Sequence, residues 1–529
     1  MIKDTKSFIL EFLGEGFKGS ISLFRDMNDR DSFFVRYSVD ESGEGSGMST
    51  LLSTRFRDWI FSSLVIARKK RRRRKNVVRL TRFVKLKDID EMLEGAQALA
   101  RNDESIEGIQ VVNRIGYEGG KIYYNLNDKE HRVVEISSEG WRMIKANEAP
   151  VLFVESCVLK EQPEPKRGGN LKDLHSFVNV DDRDFALVVG WLLSAMNSRI
   201  DCPMLHVEAP KGSGKTTLTG FLKELIDPDV VGTVAPFRSY RDLCAAAKGI
   251  TVIGLDNISS FSKKDSDELC RVCTGTGHFS RKLYTDDELH TVKLHLPLIA
   301  NGIDFGILEP DLRDRCYSVR LQPLEAETRK SKEELLVEFE EKRPYILGAL
   351  FDALKVALSN MSYAPEIDTR MLDAAKFVMR AAHDNVDFPF TEENFREILM
   401  EKKKADEKES VLYNPLASTI YNLVKKKREE DKREEGQAHV IWEGSSSKLH
   451  EEVMTKAKFL GISNGIPKSV ASFGRKLREL APMLELYGID IKSVHTNTGT
   501  NIEIMYEEKE KEDIEMVETR EEGIEKEVE

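Results

Sequence analysis

The chain has 529 residues, a net charge of −11, and 40% apolar and 32% charged side chains, the composition of an ordinary globular protein rather than a disordered or fibrous one. Its length exceeds the roughly 250 to 300 residues that one core supports, so we expect several domains. The longest apolar stretch, residues 185–196, is shorter than the about 18 to 20 residues of a membrane span, no signal-peptide pattern follows Met1, and we expect a cytoplasmic protein.

Residues 1–160 alternate short apolar segments with turn residues, which predicts a β-rich accessory domain. This domain includes a block of eight consecutive basic residues, Arg68 to Lys75. Such a block is too self-repelling to pack in a core, so it is a phosphate-binding arm, a localisation signal or a solvated loop. The stretch QPEPKRGGN, residues 162–170, is rich in Pro and Gly and predicts a linker.

Residues 171–325 alternate predicted strands and helices, as in an α/β nucleotide-binding sheet. The strand MLHVEA, residues 204–209, leads into PKGSGKTT and then a helix, which is the context of a phosphate-binding P-loop. Ala209 stands where the motif GxxxxGK[ST] has its first glycine. We expect ATP to bind at Pro210, Lys211, Gly212, Ser213, Gly214, Lys215, Thr216 and Thr217.

A second strand, ITVIGL, ends at Asp256 and Asn257. Asp256 is placed to hold Mg²⁺ together with the Thr216 hydroxyl, and Lys215 to reach the β and γ phosphates. Many ATPases have a second acid where this chain has Asn257, and an amide can position water but cannot act as a general base. We therefore expect a slow ATPase, with Glu208 or Asp267 as candidates for an additional acid.

The segment SRKLYTDDELHTVKL predicts a β-hairpin that turns at residues 286–288. Four of its side chains are candidates to contact nucleic-acid phosphates, although the acidic tip opposes that role. They are Arg281, Lys282, His290 and Lys293.

A third strand, in LHLPLIANG, ends at Asn301, whose amide is suited to orienting water against a γ phosphate. Arg313 and Arg315 follow on a short helix before another strand. An arginine at this place can reach a neighbouring subunit's γ phosphate and neutralise charge in the transition state.

From residue 110 to residue 506 the chain resembles the AAA+ ATPase module of phage, prophage and plasmid primase-helicases, which is related to superfamily-3 and minichromosome-maintenance helicases. The resemblance rests on eleven segments: SEGWRMI, GGNLKDLHSFVNV, DFALVVGWLLSAM, GSGKTTL, RDLCAAAKG, LDNIS, LCRVCTGTGHFSRKLYTDDE, LIANGID, PDLRDR, GALFDAL and TRMLDAAKF.

The resemblance implies a P-loop AAA+ core at residues 171–325 and a helical lid at 326–410. It also implies roles for five elements: Asp256 as the Walker B acid, Asn301 as sensor 1, Arg315 as arginine finger, Arg370 as sensor 2, and the hairpin as a grip on nucleic acid inside a ring. An Asp-Asn pair at the end of this strand is normal for that group.

Residues 411–506 read helix, helix, hairpin, which predicts a winged helix. Its second helix carries Lys468, Arg475, Lys476 and Arg478, of which Arg475 and Lys476 are the candidates for DNA contact. This basic cluster favours DNA, and the alternative is a winged helix that binds protein. The last 23 residues, 507–529, carry 12 acidic and four basic side chains, a net −8 that leaves −3 on residues 1–506, and predict a disordered acidic tail.

The sequence predicts a ring-forming, hexameric, ATP-dependent DNA helicase or translocase that replicates a mobile element, with ATP and Mg²⁺ as cofactors. The expected partners are DNA, single-stranded or forked, further copies of the chain, and a separate primase or polymerase, because residues 1–150 carry no primase signature. The alternative is a replication initiator or helicase loader that uses ATP as an assembly switch.

Overall fold

The fold is taken from a computed structural model that divides into two compact units, residues 1–398 and 399–529, described in turn. Twenty-two segments of the chain lie outside the described residues: 1–3, 14–19, 28–31, 39–46, 51, 54–55, 62–84, 155, 210–211, 236, 238–239, 248, 259–260, 277, 282–288, 293, 303–308, 324–330, 431–438, 460–464, 497–498 and 508–529. The basic block at residues 68–75 and the predicted acidic tail beyond residue 507 therefore fall outside the description.

The first part of the chain forms a five-stranded sheet with two helices on it. The sheet has the order β3-β2-β1-β4-β9. Ile21 and Val35 of the sheet and Ile89 and Ala96 of the second helix share one buried core. The elements are α1 (Thr5–Leu13), β1 (Ser20–Asp26), β2 (Phe33–Ser38), β3 (Gly47–Thr50), α2 (Leu86–Ala100), β4 (Glu107–Val112) and β9 (Val151–Phe153).

A second, antiparallel sheet of four strands is inserted between β4 and β9. The strands are β5 (Ile115–Glu118), β6 (Lys121–Asn125), β7 (Arg132–Ser137) and β8 (Gly140–Lys145). Arg114, directly before β5, is fully buried, and its Nε donates to Asp227 Oδ1 at 2.8 Å. Tyr124 Oη donates to the Ile226 carbonyl at 2.7 Å. These contacts join this sheet to the α/β part of the chain.

The α/β part is a sheet of five parallel strands. In chain order they are β10 (Met204–Glu208), β11 (Thr233–Val234), β12 (Ile253–Leu255), β15 (Leu298–Gly302) and β16 (Cys316–Arg320). In space the order is β11-β12-β15-β10-β16, so β10 lies between β15 and β16. Residues 209–214, which follow β10, are the candidate phosphate-binding loop and are called the phosphate loop below. The carboxyl ends of β10, β12 and β15 therefore meet at one edge of the sheet, where ligands of open α/β sheets bind.

Helices cover both faces of this sheet because its strands are apolar on both sides. They are α3 (Asp182–Ala195), α4 (Lys215–Ile226), α5 (Tyr240–Ala247), α6 (Lys263–Cys273) and α7 (Pro310–Arg313), with a 3₁₀ segment at Leu171–Phe177. The predicted hairpin is confirmed as the antiparallel pair β13 (His278–Arg281) and β14 (Leu289–Val292).

Three helices complete the first unit: α8 (Lys332–Ser359), α9 (Leu372–Ala382) and α10 (Glu392–Tyr413), the last of which crosses into the second unit. The predicted linker at residues 162–170 packs closely on α8. The Lys166 N–H donates to the Pro344 carbonyl at 2.9 Å. A Cβ at Gly169 would lie 2.0 Å from the Tyr345 carbonyl oxygen, and one at Gly348 would lie 1.9 Å from the Lys166 oxygen. Gly169 of this stretch thus allows close packing on α8, whereas Gly168 has φ +79° and no neighbour within 4 Å of a Cβ. The predicted linker is therefore packed against α8.

The second unit has helix, strand, helix, helix and hairpin in chain order. Its elements are α11 (Pro415–Glu430), β17 (His439–Ser445), α12 (Ser446–Phe459), α13 (Val470–Leu484), β18 (Ile489–Thr496) and β19 (Gly499–Tyr506). The three strands form an antiparallel sheet in the order β17-β19-β18. Leu449, Phe473, Leu477 and Ile504 are buried in its core.

No helix among the described residues combines the length and the apolar character that crossing a membrane requires.

Candidate active site

The phosphate loop connects β10 to α4 through two glycines in the left-handed region. Gly212 has φ +85° and Gly214 has φ +87°, and Gly214 is the N-cap of α4. Residues with a Cβ rarely adopt these angles, which explains glycine at both positions. The first N–H groups of a helix have no partner within the helix, so the start of α4 can bind an anion. Pro210 and Lys211 lie outside the described residues.

Lys215 begins α4, and its side chain turns back over the loop. Its Nζ donates to the Ala209 carbonyl at 2.9 Å. Burial lowers the pKa of Lys215, and the charge of Asp256 opposes that effect. Ala209 is not among the residues with positive φ, so the place of the motif's first glycine tolerates a Cβ here. A partly desolvated ammonium at this point is suited to binding phosphate.

Thr216 and Asp256 lie side by side next to Lys215. Thr216 Oγ1 is 3.2 Å from Asp256 Oδ1 and 3.4 Å from Oδ2. Hydroxyl and carboxylate oxygens are ligands that Mg²⁺ prefers, so the chemistry of this pair fits the predicted metal. Ser213 is buried within the loop, and Thr217, the residue after Thr216, is half-buried.

Asn257 and Asn301 form part of a hydrogen-bonded chain that links two strand ends to α4. Asn301 is fully buried; its Oδ1 accepts from the Asn257 N–H at 3.3 Å, and its Nδ2 donates to Thr219 Oγ1 at 2.9 Å. Asn257 has φ +58° and an exposed side chain. Asparagine is one of the few residues other than glycine that tolerate this region. Both ends of the Asn301 amide are therefore engaged within the protein.

Arg313 and Arg315 lie near the amino ends of the parallel strands, whereas the phosphate loop follows a carboxyl end. Arg315 directly precedes β16, and its carbonyl accepts from the N–H of Met204, the first residue of β10. The phosphate loop follows the last residue of β10, Glu208. Four residue steps of a strand span about 13 Å, so Arg315 cannot contact a phosphate bound to its own loop without a large rearrangement.

Arg315 is buried and paired with Asp311. Its Nη1 is 2.6 Å from Asp311 Oδ1 and 3.9 Å from Cys270 Sγ. The hydrogen bond from Arg315 is the largest cause that lowers the pKa of Asp311, and the charge of Arg370 contributes to the same shift. The structure thus pairs Arg315 with Asp311, away from Lys215. Arg313, two residues earlier, is buried as well.

The two candidates for an additional acid differ in position. Glu208 ends β10, directly before the loop, where its carboxylate lies 3.9 Å from His206 Nε2 and 4.0 Å from Arg320 Nη2. Asp267 is exposed on α6 and acts electrostatically on the Cys270 thiol, on the Arg315 side of the sheet. Only Glu208 therefore adjoins the phosphate loop of its own subunit.

The candidate nucleic-acid residues are described in part. Lys282 and Lys293 lie outside the described residues, as do the side chains of Arg281 and His290. On α13, Arg475 is exposed, whereas Lys476 Nζ donates to Glu479 Oε1 at 2.6 Å.

Sequence reasoning did not find Thr219 or Asp311, each of which contacts a predicted site residue. Asp311 has a signal in the sequence, because it precedes Arg315 by four residues. Thr219 contacts Asn301, which is 82 residues further along the chain, so no local pattern could have found it. Arg478, which the sequence places on the same helix, is exposed on α13 three residues after Arg475.

Two family models match the chain. Residues 170–387 match the actinomycete integrative conjugative element replication protein, and residues 416–518 match the AICE RepA C-terminal domain. Both matches are to replication proteins. The first covers the phosphate loop, Asp256, Asn301 and Arg315, and the second covers α11 to β19. No curated protein matches the sequence.

Solved structures show distant likeness. The apo C-terminal region of NrS-1 is 12% identical over 96% of this chain and 100% of that one, with a TM-score of 0.38. A JCV helicase is 14% identical over 44% of this chain and 70% of its own, with a TM-score of 0.21. The Aeropyrum pernix ORC1 protein in complex with DNA is 15% identical over 62% and 89%, with a TM-score of 0.16. These TM-scores are too low to support an argument about fold or function.

Proposed function

We propose that this chain is a P-loop AAA+ ATPase that assembles into a ring, expected to be hexameric, and acts as a DNA helicase or translocase in the replication of a mobile element. The observation that carries the proposal is the contact between Thr216 and Asp256 beside Lys215. The strand order also supports it, because the strand that precedes the loop lies between the strands that end in Asn301 and begin after Arg315. The match of residues 170–387 to a replication-protein family supports the biological setting.

Each polar side chain has a separate task in this proposal. Lys215 and the N–H groups at the start of α4 bind the β and γ phosphates of ATP. Thr216 and Asp256 hold Mg²⁺, which neutralises phosphate charge when bound. Asn257, exposed at the strand end, orients the attacking water, and Asn301 holds the Asn257 backbone in place. Phosphoryl transfer depends mainly on positioning and charge stabilisation, so it does not require a strong base.

A neighbouring subunit completes the site. Arg315 lies at the ends of the strands opposite the phosphate loop, at least about 13 Å away by strand length. Arg370 contributes to the electrostatics of Asp311, the partner of Arg315. In a ring, this end of the sheet in one subunit faces the loop of the next, and the guanidinium groups stabilise charge on the γ phosphate. This is the reason that we propose a ring rather than a monomer.

The second unit supplies DNA binding in this proposal. The order helix, strand, helix, helix, hairpin and the three-stranded sheet favour a winged helix. Helix α13 buries Phe473, Leu477, Leu480 and Leu484, and on the opposite side exposes a face with two arginines. That face consists of Ala471, Arg475, Arg478 and Pro482. The match of residues 416–518 to the RepA C-terminal domain is consistent with this role.

The alternative, an initiator or helicase loader that uses ATP as an assembly switch, is favoured by one observation. The end of β12 has Asn257 in place of a second acid, and the Asn301 amide is engaged by Asn257 and Thr219. Both features favour slow hydrolysis, which suits a protein that holds ATP in order to stay assembled. Both functions require a nucleotide bound at the same phosphate loop. The proposal includes a cytoplasmic location and a separate primase or polymerase as partner.

Strand displacement by the purified protein separates the two functions. A forked DNA with a labelled strand is incubated with the protein, Mg²⁺ and ATP, and with the Lys215→Ala variant as matched control. Displacement by the wild-type protein and none by Lys215→Ala supports the helicase. ATP-dependent assembly on DNA without displacement supports the initiator or loader, and absence of any ATP effect rejects both.

A further inference from the structure

The hydrogen bonds of the Arg315 guanidinium are made by Nη1. This atom donates to the side chain and the main-chain carbonyl of Asp311 and also lies 3.9 Å from Cys270 Sγ. The side chain is 9% exposed, and its buried Nε has no hydrogen-bond partner among the described residues. A buried N–H without an acceptor is unfavourable because it has given up its hydrogen bond to water and formed no other. An acceptor from another molecule would satisfy it.

Asp311 binds Arg315 from an exposed position. Its side chain is 63% exposed, and the hydrogen bond from Arg315 lowers the pKa of its carboxyl. It is therefore ionised at neutral pH, but a solvated carboxylate on the surface makes only a weak ion pair. A phosphate group carries more charge and offers several oxygens to the planar guanidinium, so it binds arginine more strongly. The ion pair between Asp311 and Arg315 is strong enough to orient the Arg315 guanidinium and weak enough for a phosphate group to take the place of Asp311.

The replacing phosphate cannot come from the same subunit. Arg315 lies beside Met204 at the start of β10, and the phosphate loop follows Glu208 at its end. An arginine side chain extends about 6 to 7 Å beyond its Cα, roughly the length of two strand residues, which is less than the length of β10. An incoming anion therefore has to be supplied by a second molecule that approaches this edge.

We propose that Asp311 is a positioning residue: it holds Arg315 in the free subunit and releases it to the terminal phosphate of ATP bound to a second copy of this chain. This inference rests on the proposed ring ATPase. It adds that Asp311 competes with the neighbouring phosphate for Arg315, so that Asp311 weakens assembly while it keeps the arginine correctly placed. Arg370 acts on the same carboxylate and helps to keep it ionised.

The contact itself is tested by the reactivity of Arg315 toward phenylglyoxal in the free protein. Asp311→Asn keeps the size of the side chain and removes its charge, and Asp311→Glu restores the charge. We expect Arg315 to be modified roughly two- to fivefold faster in Asp311→Asn than in the wild-type protein, the factor that a partly exposed ion pair supplies. Arg313, also buried, is the internal control, and peptide fragmentation separates the two sites. An equal rate for Arg315 in both proteins overturns the proposal.

The consequence for assembly is tested by the dependence of ATP turnover on subunit concentration. Asp311→Asn is expected to lower the concentration at half-maximal turnover by a similar factor, and Asp311→Glu to leave it near the wild-type value. Assembly of the Arg315→Ala variant in ATP is measured by sedimentation, with and without the additional change Asp311→Asn. We expect Asp311→Asn to leave the subunit concentration needed for assembly unchanged when Arg315 is absent. If Asp311→Asn lowers that concentration by the same factor without Arg315, Asp311 acts through the fold and the proposal is overturned.

Failure of this inference is distinguishable from failure of the proposed function. If the wild-type protein does not hydrolyse ATP, the proposed function is wrong, whereas the phenylglyoxal rates still decide whether Asp311 holds Arg315. If turnover is normal and the rates for Arg315 are unchanged by Asp311→Asn, only the inference is wrong.

Discussion

Thr216 Oγ1 and Asp256 Oδ1 lie 3.2 Å apart, although 39 residues separate them in the chain. Thr216 is the second residue of α4, the helix after the phosphate loop, and Asp256 follows a strand that is not adjacent to β10 in the sheet. Asp256 directly follows the carboxyl end of β12, and Thr216 follows the carboxyl end of β10 through the phosphate loop. Because the strands are parallel, their carboxyl ends lie at the same end of the sheet, and the two residues meet there. This pair is the basis of the first prediction.

Asp256→Asn is expected to reduce Mg²⁺-dependent ATP turnover by about 100-fold or more, because it removes a charged metal ligand at the site of phosphoryl transfer. Binding of a fluorescent ATP analogue should persist, since Lys215 and the helix N-terminus are intact. Asp387→Asn, which neutralises an exposed acid outside the candidate site, is the matched control and should retain turnover. Undiminished hydrolysis in Asp256→Asn would mean that the metal is held elsewhere.

Asn257 is tested by two substitutions that separate its backbone from its amide. Its φ of +58° costs a residue with a Cβ about 1 kcal/mol but costs glycine little. Asn257→Ala should therefore lower both turnover and the melting temperature, and Asn257→Gly should lower turnover to a similar degree with a smaller loss of stability. Steady-state kinetics and thermal unfolding measure the two effects. Full activity of Asn257→Gly would exclude a role for the amide in orienting water.

Mixing two inactive variants tests whether the site is shared between subunits. Lys215→Ala is expected to lose phosphate binding, and Arg315→Ala to bind nucleotide but hydrolyse it about 100-fold more slowly. An interface with Lys215 from one subunit and Arg315 from the next has both residues, so the mixture should recover part of the wild-type turnover. Arg315→Ala mixed with the double variant Lys215→Ala, Arg315→Ala is the control without any complete interface. If confirmed mixed assemblies show no recovery, the ring ATPase is rejected.

The exposed face of α13 should contribute to DNA affinity by binding backbone phosphates. Replacing Arg475 and Arg478 with Ala is expected to weaken duplex binding and to reduce the log-log salt slope by up to about 0.9 for each phosphate that the variant no longer binds. Lys476→Ala removes a base from the same helix that is already paired with Glu479 and should change the slope less. Equal slopes for all three proteins, measured by fluorescence anisotropy, would favour a protein-binding role for this unit.

The buried pair of Arg114 and Asp227 should be important for stability. Arg114 also donates to the carbonyls of Asn125 in the second sheet, Lys160 and Pro228. The bonds to Asp227 and Pro228 join the second sheet to the α/β part. Arg114→Met leaves Asp227 charged and buried, and is expected to cost about 3 to 5 kcal/mol in the free energy of unfolding. Urea unfolding followed by circular dichroism measures the loss. A cost below about 1 kcal/mol would show that water reaches Asp227.

The residues of the phosphate loop could be predicted from the sequence because their geometry is local. Two glycines, a lysine and a threonine, all within five positions between an apolar strand and a helix, determine the turn, the left-handed φ angles and the start of α4. The strand ends at Asp256 and Asn301 were predictable for the same reason, since a short apolar run followed by a polar residue is a local pattern.

Other features of the site depended on the order of the strands in the sheet, which no local pattern contains. The tertiary structure decided that the Asn301 amide binds Asn257 and Thr219, and that Arg315 lies at the ends of the strands away from Lys215. It also decided that Gly169 packs closely on α8. Each of these arrangements joins segments that meet only when helices and strands pack, so its geometry follows from the burial of apolar faces that are far apart in the chain. The contact between Asp311 and Arg315 is different, because four residues separate the two positions in the chain.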